Sequence, residues 1–307
     1  MGARQRRALS LCAFTVPAIV LLPRGGWLGS GLAAGLAAAV ILLGRCGGDL
    51  TARAARTTLG RGALWLLFAW NLVALGAGAR VLCGVFPDGN VLVGLLLLLL
   101  SAYAAARGRV ASVGAVCFFF LLILYSILFG FALPELNAAW LAPNAPDWWL
   151  LPSALMPTCA LWLHDGRKTR GVGGWLVCGA GVAVLAGLTA AGSLSPAVAA
   201  REAFPFYEAA KSVRILGAME RLEPLVSAAL TAGGFCMLGL VCAVNERILG
   251  VLAPRKKNLG AFVHFFCGGA LLWGSSLISG AVLAVCTAIF WGVLPILVQL
   301  VVKKEKT

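Results

Sequence analysis

Charge is scarce in this chain: only 12% of its 307 residues are Asp, Glu, Lys or Arg, and just 11 are acidic. No acidic residue is expected deep in any apolar run, so a carboxylate proton relay has no evident carrier. The ten cysteines include no C-x-x-C pair, which removes the usual spacing for a disulfide framework or a zinc site. Nearly all fall inside apolar segments, where they read as small packing residues. The sequence also lacks a D-x-x-x-D motif, a G-x-x-x-x-G-K-[ST] phosphate loop and an H-E-x-x-H pair. The one acid–base pair near the apolar segments, His164–Asp165, sits in a basic connection and reads as a solvated turn. These absences argue against an intramembrane enzyme, and no metal or cofactor is expected.

What remains is hydrophobic. Apolar residues make up 61% of the chain and its mean hydropathy is +0.95, values foreign to a soluble globular domain. Runs such as 110–133 and 281–302 approach or exceed the roughly 20 residues that cross a bilayer. Ten spans are expected, at about 8–23, 27–44, 62–86, 91–106, 110–133, 148–164, 172–193, 224–248, 259–276 and 279–302. The fold class is therefore an all-α polytopic membrane protein, a single transmembrane domain over 1–307 with no soluble domain. The start, MGARQRR before an apolar run, imitates a secretory signal; lacking a clear cleavage site, it reads as the first span. Arg6, where Ser or Thr is needed, also breaks the myristoylation pattern.

The net charge of +14 resembles a nucleic-acid signal until its distribution is followed. With a cytoplasmic N-terminus, 19 of the 25 basic residues fall on the cytoplasmic side, among them Arg4, Arg53, Arg107, Arg167, Arg255 and Lys304. Five fall outside: Arg24, Arg201, Lys211, Arg214 and Arg221. That asymmetry follows the positive-inside rule and places both termini in the cytoplasm. The partner it implies is the lipid bilayer, not nucleic acid. Trp140, Trp148 and Trp149 in the long connection at 134–149 suit the headgroup level. An external segment at about 194–223 repeats Phe206, Ala210, Val213 and Gly217 at helical spacing, which predicts an amphipathic helix over the outer mouth or a plain interfacial linker. Gly31 and Gly35 form a G-x-x-x-G, and Ala270 and Gly274 a looser equivalent, both suited to close packing within the bundle.

Two short apolar segments broken by proline occupy matching places in the two halves: Pro17 in the first span, Pro152 and Pro157 in the sixth. Each opens a set of five spans, so the chain divides into repeats at about 8–134 and 148–302. Proline removes an amide donor and frees the carbonyl four residues earlier, here those of Ala13 and Ser153. In hydrocarbon such a carbonyl must face protein, water or ligand. Paired broken helices mark a transporter-type site near the midplane, and Thr15 and Thr158 add hydroxyls beside the breaks. Helix ends and free carbonyls suit a small zwitterion or cation; a mere kink is the alternative. Asn71, midway along the third span, either lines a polar cavity or bonds between helices. Arg80 near a span end snorkels or lines a vestibule. His264 reads more readily as a satisfied helix histidine than as a relay.

Three stretches give the chain a family likeness: LLPRGGW at 21–27, YAAARG at 103–108 leading to the PELN exit at 134–137, and FPFYEAAKSVRILGAMERLEPL at 204–225. The whole length resembles the permease-like B subunit of spore nutrient-germinant receptors, within the amino acid–polyamine–organocation superfamily. The resemblance implies a five-plus-five inverted-repeat (LeuT-like) fold with broken helices 1 and 6. It implies sensing of a small nutrient such as an amino acid in the spore inner membrane, with or without transport. Its implied partners are a larger membrane subunit and a lipoprotein subunit. By position the pocket would lie at the first and sixth helices with walls from the third and eighth; the ligand-binding residues expected there are Ala13, Thr15, Pro17, Asn71, Ser153, Pro157 and Thr158. The chain is short for that family, and Thr15-Val16-Pro17 replaces its glycine-bearing break. Two other readings stand beside it: an amino acid or amine secondary transporter, and a non-transporting scaffold.

Overall fold

In the computed structural model, residues 2–44, 49–86, 90–141, 147–163, 172–212, 222–254 and 259–304 are described. Among them every regular element is helical. In chain order these are α1 (Ala3–Val20), α2 (Gly26–Gly44), α3 (Leu50–Ala54), α4 (Thr58–Val85), α5 (Val91–Ala106) and α6 (Val110–Ala132). After a 3-10 segment, Leu151–Leu163, come α7 (Val172–Leu194), α8 (Pro196–Arg201), α9 (Pro205–Ser212), α10 (Glu223–Leu252) and α11 (Gly260–Gly274). The chain closes with α12 (Gly280–Thr287), a π-helical turn (Ala288–Val293) and α13 (Leu294–Lys304).

Among the described residues, six helical stretches are long and apolar enough to cross a membrane: Leu22–Gly44, Thr58–Val85, Val110–Glu135, Glu223–Leu252, Gly260–Leu277 and Gly280–Leu300. Val91–Ala106, Leu151–Leu163 and Cys178–Leu194 are shorter apolar helices. The protein is thus an all-α, multi-pass membrane protein. Its outward faces carry Phe119, Ile123, Phe262 and Phe266, all exposed, as lipid-facing surfaces require.

α1 is the axis of the bundle. Leu9, Cys12, Ala13, Phe14, Ala18 and Ile19 are buried around its circumference, and it packs against α6, α7, α10 and the 3-10 segment. Such all-round burial needs small residues on the neighbours. A methyl group at Gly233 of α10 would meet Thr15 Oγ1 at 2.7 Å, so glycine is what lets α10 approach α1 this closely. Around this axis α2 packs on α7, α4 on α10 and α11, and α5 on α10 and α11. Gly31 of the G-x-x-x-G faces Val184 of α7, an intramolecular use, while Gly35 has open space.

The two proline-bearing segments are not both broken as expected. α1 runs through Pro17 without interruption, and the Leu21 amide donates to the Pro17 carbonyl at 3.1 Å. The proline costs only the donor to Ala13, because later turns bond normally. The sixth segment departs further, being 3-10 over all its 13 residues, a length rarely reached by that helix. In the i to i+3 frame Pro157 withholds its donor from Ala154, not from Ser153.

The predicted external helix begins as α9, with Phe206 and Ala210 buried and Glu208 paired to Lys211 at 2.9 Å. Val213, Gly217 and Arg214 lie outside the described residues, as do His164–Asp165 and the turn at 87–89. Arg80 is exposed at the far part of α4. Glu246 is buried within α10. It sits at the edge of the predicted span, where sequence position does not distinguish depth from surface.

Candidate functional site

A cavity of about 290 Å³ opens where α1 and the 3-10 segment come together. α1 lends Val16 and Pro17, and the 3-10 segment Ser153 and Met156. Trp70, Ala74, Ala77 and Gly78 of α4 form a second wall. Met237, Leu238 and Val241 of α10 oppose Leu283, Ala284 and Thr287 of α12, and Trp291 of the π turn completes the ring. The mouth carries exposed Trp149 and Gly280, while Trp70, Val241 and Trp291 make a buried floor. Among the described residues no charged side chain lines it. Both hydroxyls present are already engaged: Ser153 Oγ donates to Leu150 O at 2.6 Å and Thr287 Oγ1 to Leu283 O at 2.6 Å. The cavity is therefore an apolar cleft shaped by small residues on α4 and floored by two indoles.

Of the residues singled out from sequence, Pro17 and Ser153 face this cavity together. The others stand behind it. Thr15 Oγ1 donates to Cys12 O at 2.7 Å, one turn back on its own helix. The Ala13 side chain is buried in the core, and its carbonyl is the one Pro17 deprives of a donor. The Pro157 carbonyl accepts from Ser10 Oγ of α1 at 3.2 Å, a bond that ties the two proline-bearing segments directly. Thr158 Oγ1, with one proton to donate, lies within hydrogen-bond reach of the carbonyls of both Leu155 and Trp291.

Asn71 bonds between helices. Its Nδ2 donates to Asn245 Oδ1 of α10 at 2.9 Å, and its Oδ1 accepts from Trp291 Nε1 at 3.0 Å. It thereby holds the cavity floor from below without lining it. Trp70 stacks on Phe290, with ring centroids 5.7 Å apart, and meets Trp291 edge-on at 6.3 Å.

Sequence reasoning missed the tenth segment's part. Pro295 lies four residues after Trp291, so the Trp291 carbonyl has no α-helical donor. The π turn sits there, and Thr158 supplies the missing hydrogen bond from across the bundle. The signal was present, a further proline inside an apolar run, but only the fold reveals which hydroxyl answers it.

At the opposite end the bundle is tied shut. Arg6 Nη1 of α1 donates to Leu163 O at 2.7 Å, and Thr51 Oγ1 of α3 to Trp162 O at 2.7 Å. Asp49, which caps α3 by accepting from the Ala52 amide, also pairs with Arg247 of α10. Gln299 Nε2 of α13 donates to Gly44 O at 2.7 Å. Among the described residues no group of three His, Cys, Asp or Glu side chains is placed to hold a metal ion. No protein-family model matches the chain, and no curated protein matches it in sequence. Family likeness rests on the quoted stretches alone.

Proposed function

We propose that the chain is a permease-like membrane subunit that binds a small amino-acid-type nutrient in this cavity and signals its presence to partner subunits. The observation that carries the reading is the meeting of Pro17 and Ser153 at one cleft, walled by α4 and α10. That is where a transporter-type fold seats its ligand. The apolar lining favours a nutrient with a hydrocarbon or aromatic side chain over a charged one, since an unpaired charge there pays full desolvation.

The packing pattern supports a ten-span, inverted-repeat reading. Taking α1, α2, α4, α5, α6, the 3-10 segment, α7, α10, α11 and α12–α13 as spans one to ten, several pairs of neighbours recur when each span is exchanged for the one five away. Among the described residues, the packing of α1 on α10 and of α6 on α10 has no equally close counterpart. α4 packs on α11 as α10 does on α5; α1 packs on α7 as the 3-10 segment does on α2. α1 packs on α6 as the 3-10 segment does on α12 and the π turn. Two repeats related by a pseudo-two-fold axis would produce this reciprocity. The spore-germinant-receptor context, with a larger membrane subunit and a lipoprotein as partners, follows from the family likeness.

One observation favours the scaffold reading: the lining offers no charge and no uncommitted hydroxyl for a zwitterion's ends. Melting of the purified protein with L-valine, L-phenylalanine or L-glutamate separates the two, because a ligand that binds only the folded state raises the melting temperature. Valine or phenylalanine is expected to raise it, glutamate not, and Ala74→Trp, which fills the cleft, to abolish the shift. If no amino acid shifts the melting temperature while the partner subunits still co-purify, the scaffold reading holds. Accumulation of the same labelled amino acids in liposomes down an imposed ion gradient would instead identify a transporter.

A further inference from the structure

Beneath the cavity floor, α10 and α11 bring two ionisable side chains together. Glu246 of α10 is 7% exposed and His264 of α11 is 0% exposed. Glu246 Oε1 lies 3.6 Å from His264 Nδ1. Gly260, one turn before His264, makes room for the carboxylate: a methyl group there would sit only 1.9 Å from Glu246 Oε1. Neither ring nitrogen of His264 makes a hydrogen bond among the described residues, and the Phe68 ring of α4 lies beside it at 6.2 Å. The pair sits next to the polar chain under the cavity, because Asn245 precedes Glu246 and accepts from Asn71.

We propose that Glu246 and His264 together form a proton-binding site, taking up one proton from solvent and returning it. A carboxylate favours the imidazolium beside it, while burial opposes an isolated charge on either group. Neither side chain then titrates as an isolated group; the proton belongs to the pair. Among the described residues, several other charged side chains at this end have partners of their own. Arg247 of α10 pairs with Asp49 of α3, and Arg6 of α1 donates to Leu163 O. Arg61 of α4 donates to Ala55 O at the surface, and Arg107 of α5 lies over the Tyr103 ring at 5.2 Å. Cys242, one turn before Glu246, is a buried free thiol. The site stands whether or not the cavity binds an amino acid.

The chain has two histidines, so His164→Gln leaves His264 as its only imidazole. Nitrogen-15 histidine spectra of that full-length protein in lipid nanodiscs, followed across pH, read the site directly. The His264 nitrogens are expected to pass from the neutral to the protonated pattern in one transition. Glu246→Gln should move that transition to lower pH by about one unit or more, a tenfold loss of proton affinity. Gly260→Ala, which pushes the carboxylate away without removing it, should move it the same way, and it serves if Glu246→Gln fails to fold. A transition unchanged by both variants, or none in the parent protein, would overturn the proposal.

Discussion

At the scale of single residues, one buried hydroxyl is matched to a carbonyl that proline has stripped of its donor. Thr158 answers Trp291, whose donor Pro295 cannot provide. Thr158→Val keeps the shape and removes the hydroxyl, leaving that carbonyl unpaired. The expected cost is about 1–3 kcal/mol, the usual penalty for an orphaned buried acceptor, measured by reversible unfolding in mixed micelles. Asn71→Leu should cost about 0.5–2 kcal/mol in the same assay, the range seen for polar contacts between membrane helices. Tyr207, in α9 outside the membrane-spanning segments, donates to Glu223 Oε1 at 2.6 Å. Burial first, and that bond second, raise its pKa above the ordinary value. A raised pKa means that the folded state holds the proton longer than the unfolded chain does. The stabilisation is therefore complete below about pH 10, the unfolded tyrosine value, and is lost as pH rises through the folded one. Tyr207→Phe should flatten the fall in stability on the alkaline side, as read from melting temperature against pH.

At the scale of elements, the 3-10 segment explains how a short stretch spans so much of the bundle. Thirteen residues rise about 26 Å as a 3-10 helix but only about 20 Å as an α-helix. The stretched form wastes hydrogen-bond geometry, and neighbours compensate: Arg6 and Thr51 take the carbonyls of Leu163 and Trp162 at its end. Ser10 takes that of Pro157 midway. Pro157→Ala restores an amide donor and should let the segment relax toward α-helix. Spin labels at its two ends are expected to draw closer by about 6 Å, the difference in rise. An unchanged distance would mean that the end contacts alone hold the stretch. Very little of this was legible in sequence: the prolines marked the segment, but the donors that stabilise it come from α1 and α3, more than a hundred positions away.

At the scale of the whole molecule, one end of the bundle is an open apolar cleft and the other is tied by Asp49–Arg247 and the Arg6 and Thr51 contacts. Arg6 and Arg247 lie at the tied end, which we propose faces the cytoplasm on the positive-inside rule. In a cysteine-free background, a membrane-impermeant maleimide added to intact cells should label Trp149→Cys and spare Arg56→Cys. The reverse pattern would invert the protein in its membrane. Six helices long and apolar enough to cross were plain from hydropathy, since a bilayer demands length and apolarity whatever the neighbours are. Of the site, Pro17 was legible, because a missing donor is a property of the residue itself. Ser153 was singled out for a freed carbonyl but lines the cavity without one, since Pro157 withholds its donor from Ala154. Trp70 and Trp291 were not, because an indole in an apolar run looks the same whether it faces lipid, core or cavity.

Sequence alone settled the class of the protein, an all-helical chain immersed in lipid, because hydrophobicity and helix length are additive properties of local stretches. It also marked Pro17 and Pro157 as positions that lack a backbone donor. Which partner restores each bond, that α1 stays whole through its proline, and that Glu246 meets His264 were decided by tertiary structure. Those outcomes depend on which distant side chains packing brings within about 3 Å, the reach of a hydrogen bond.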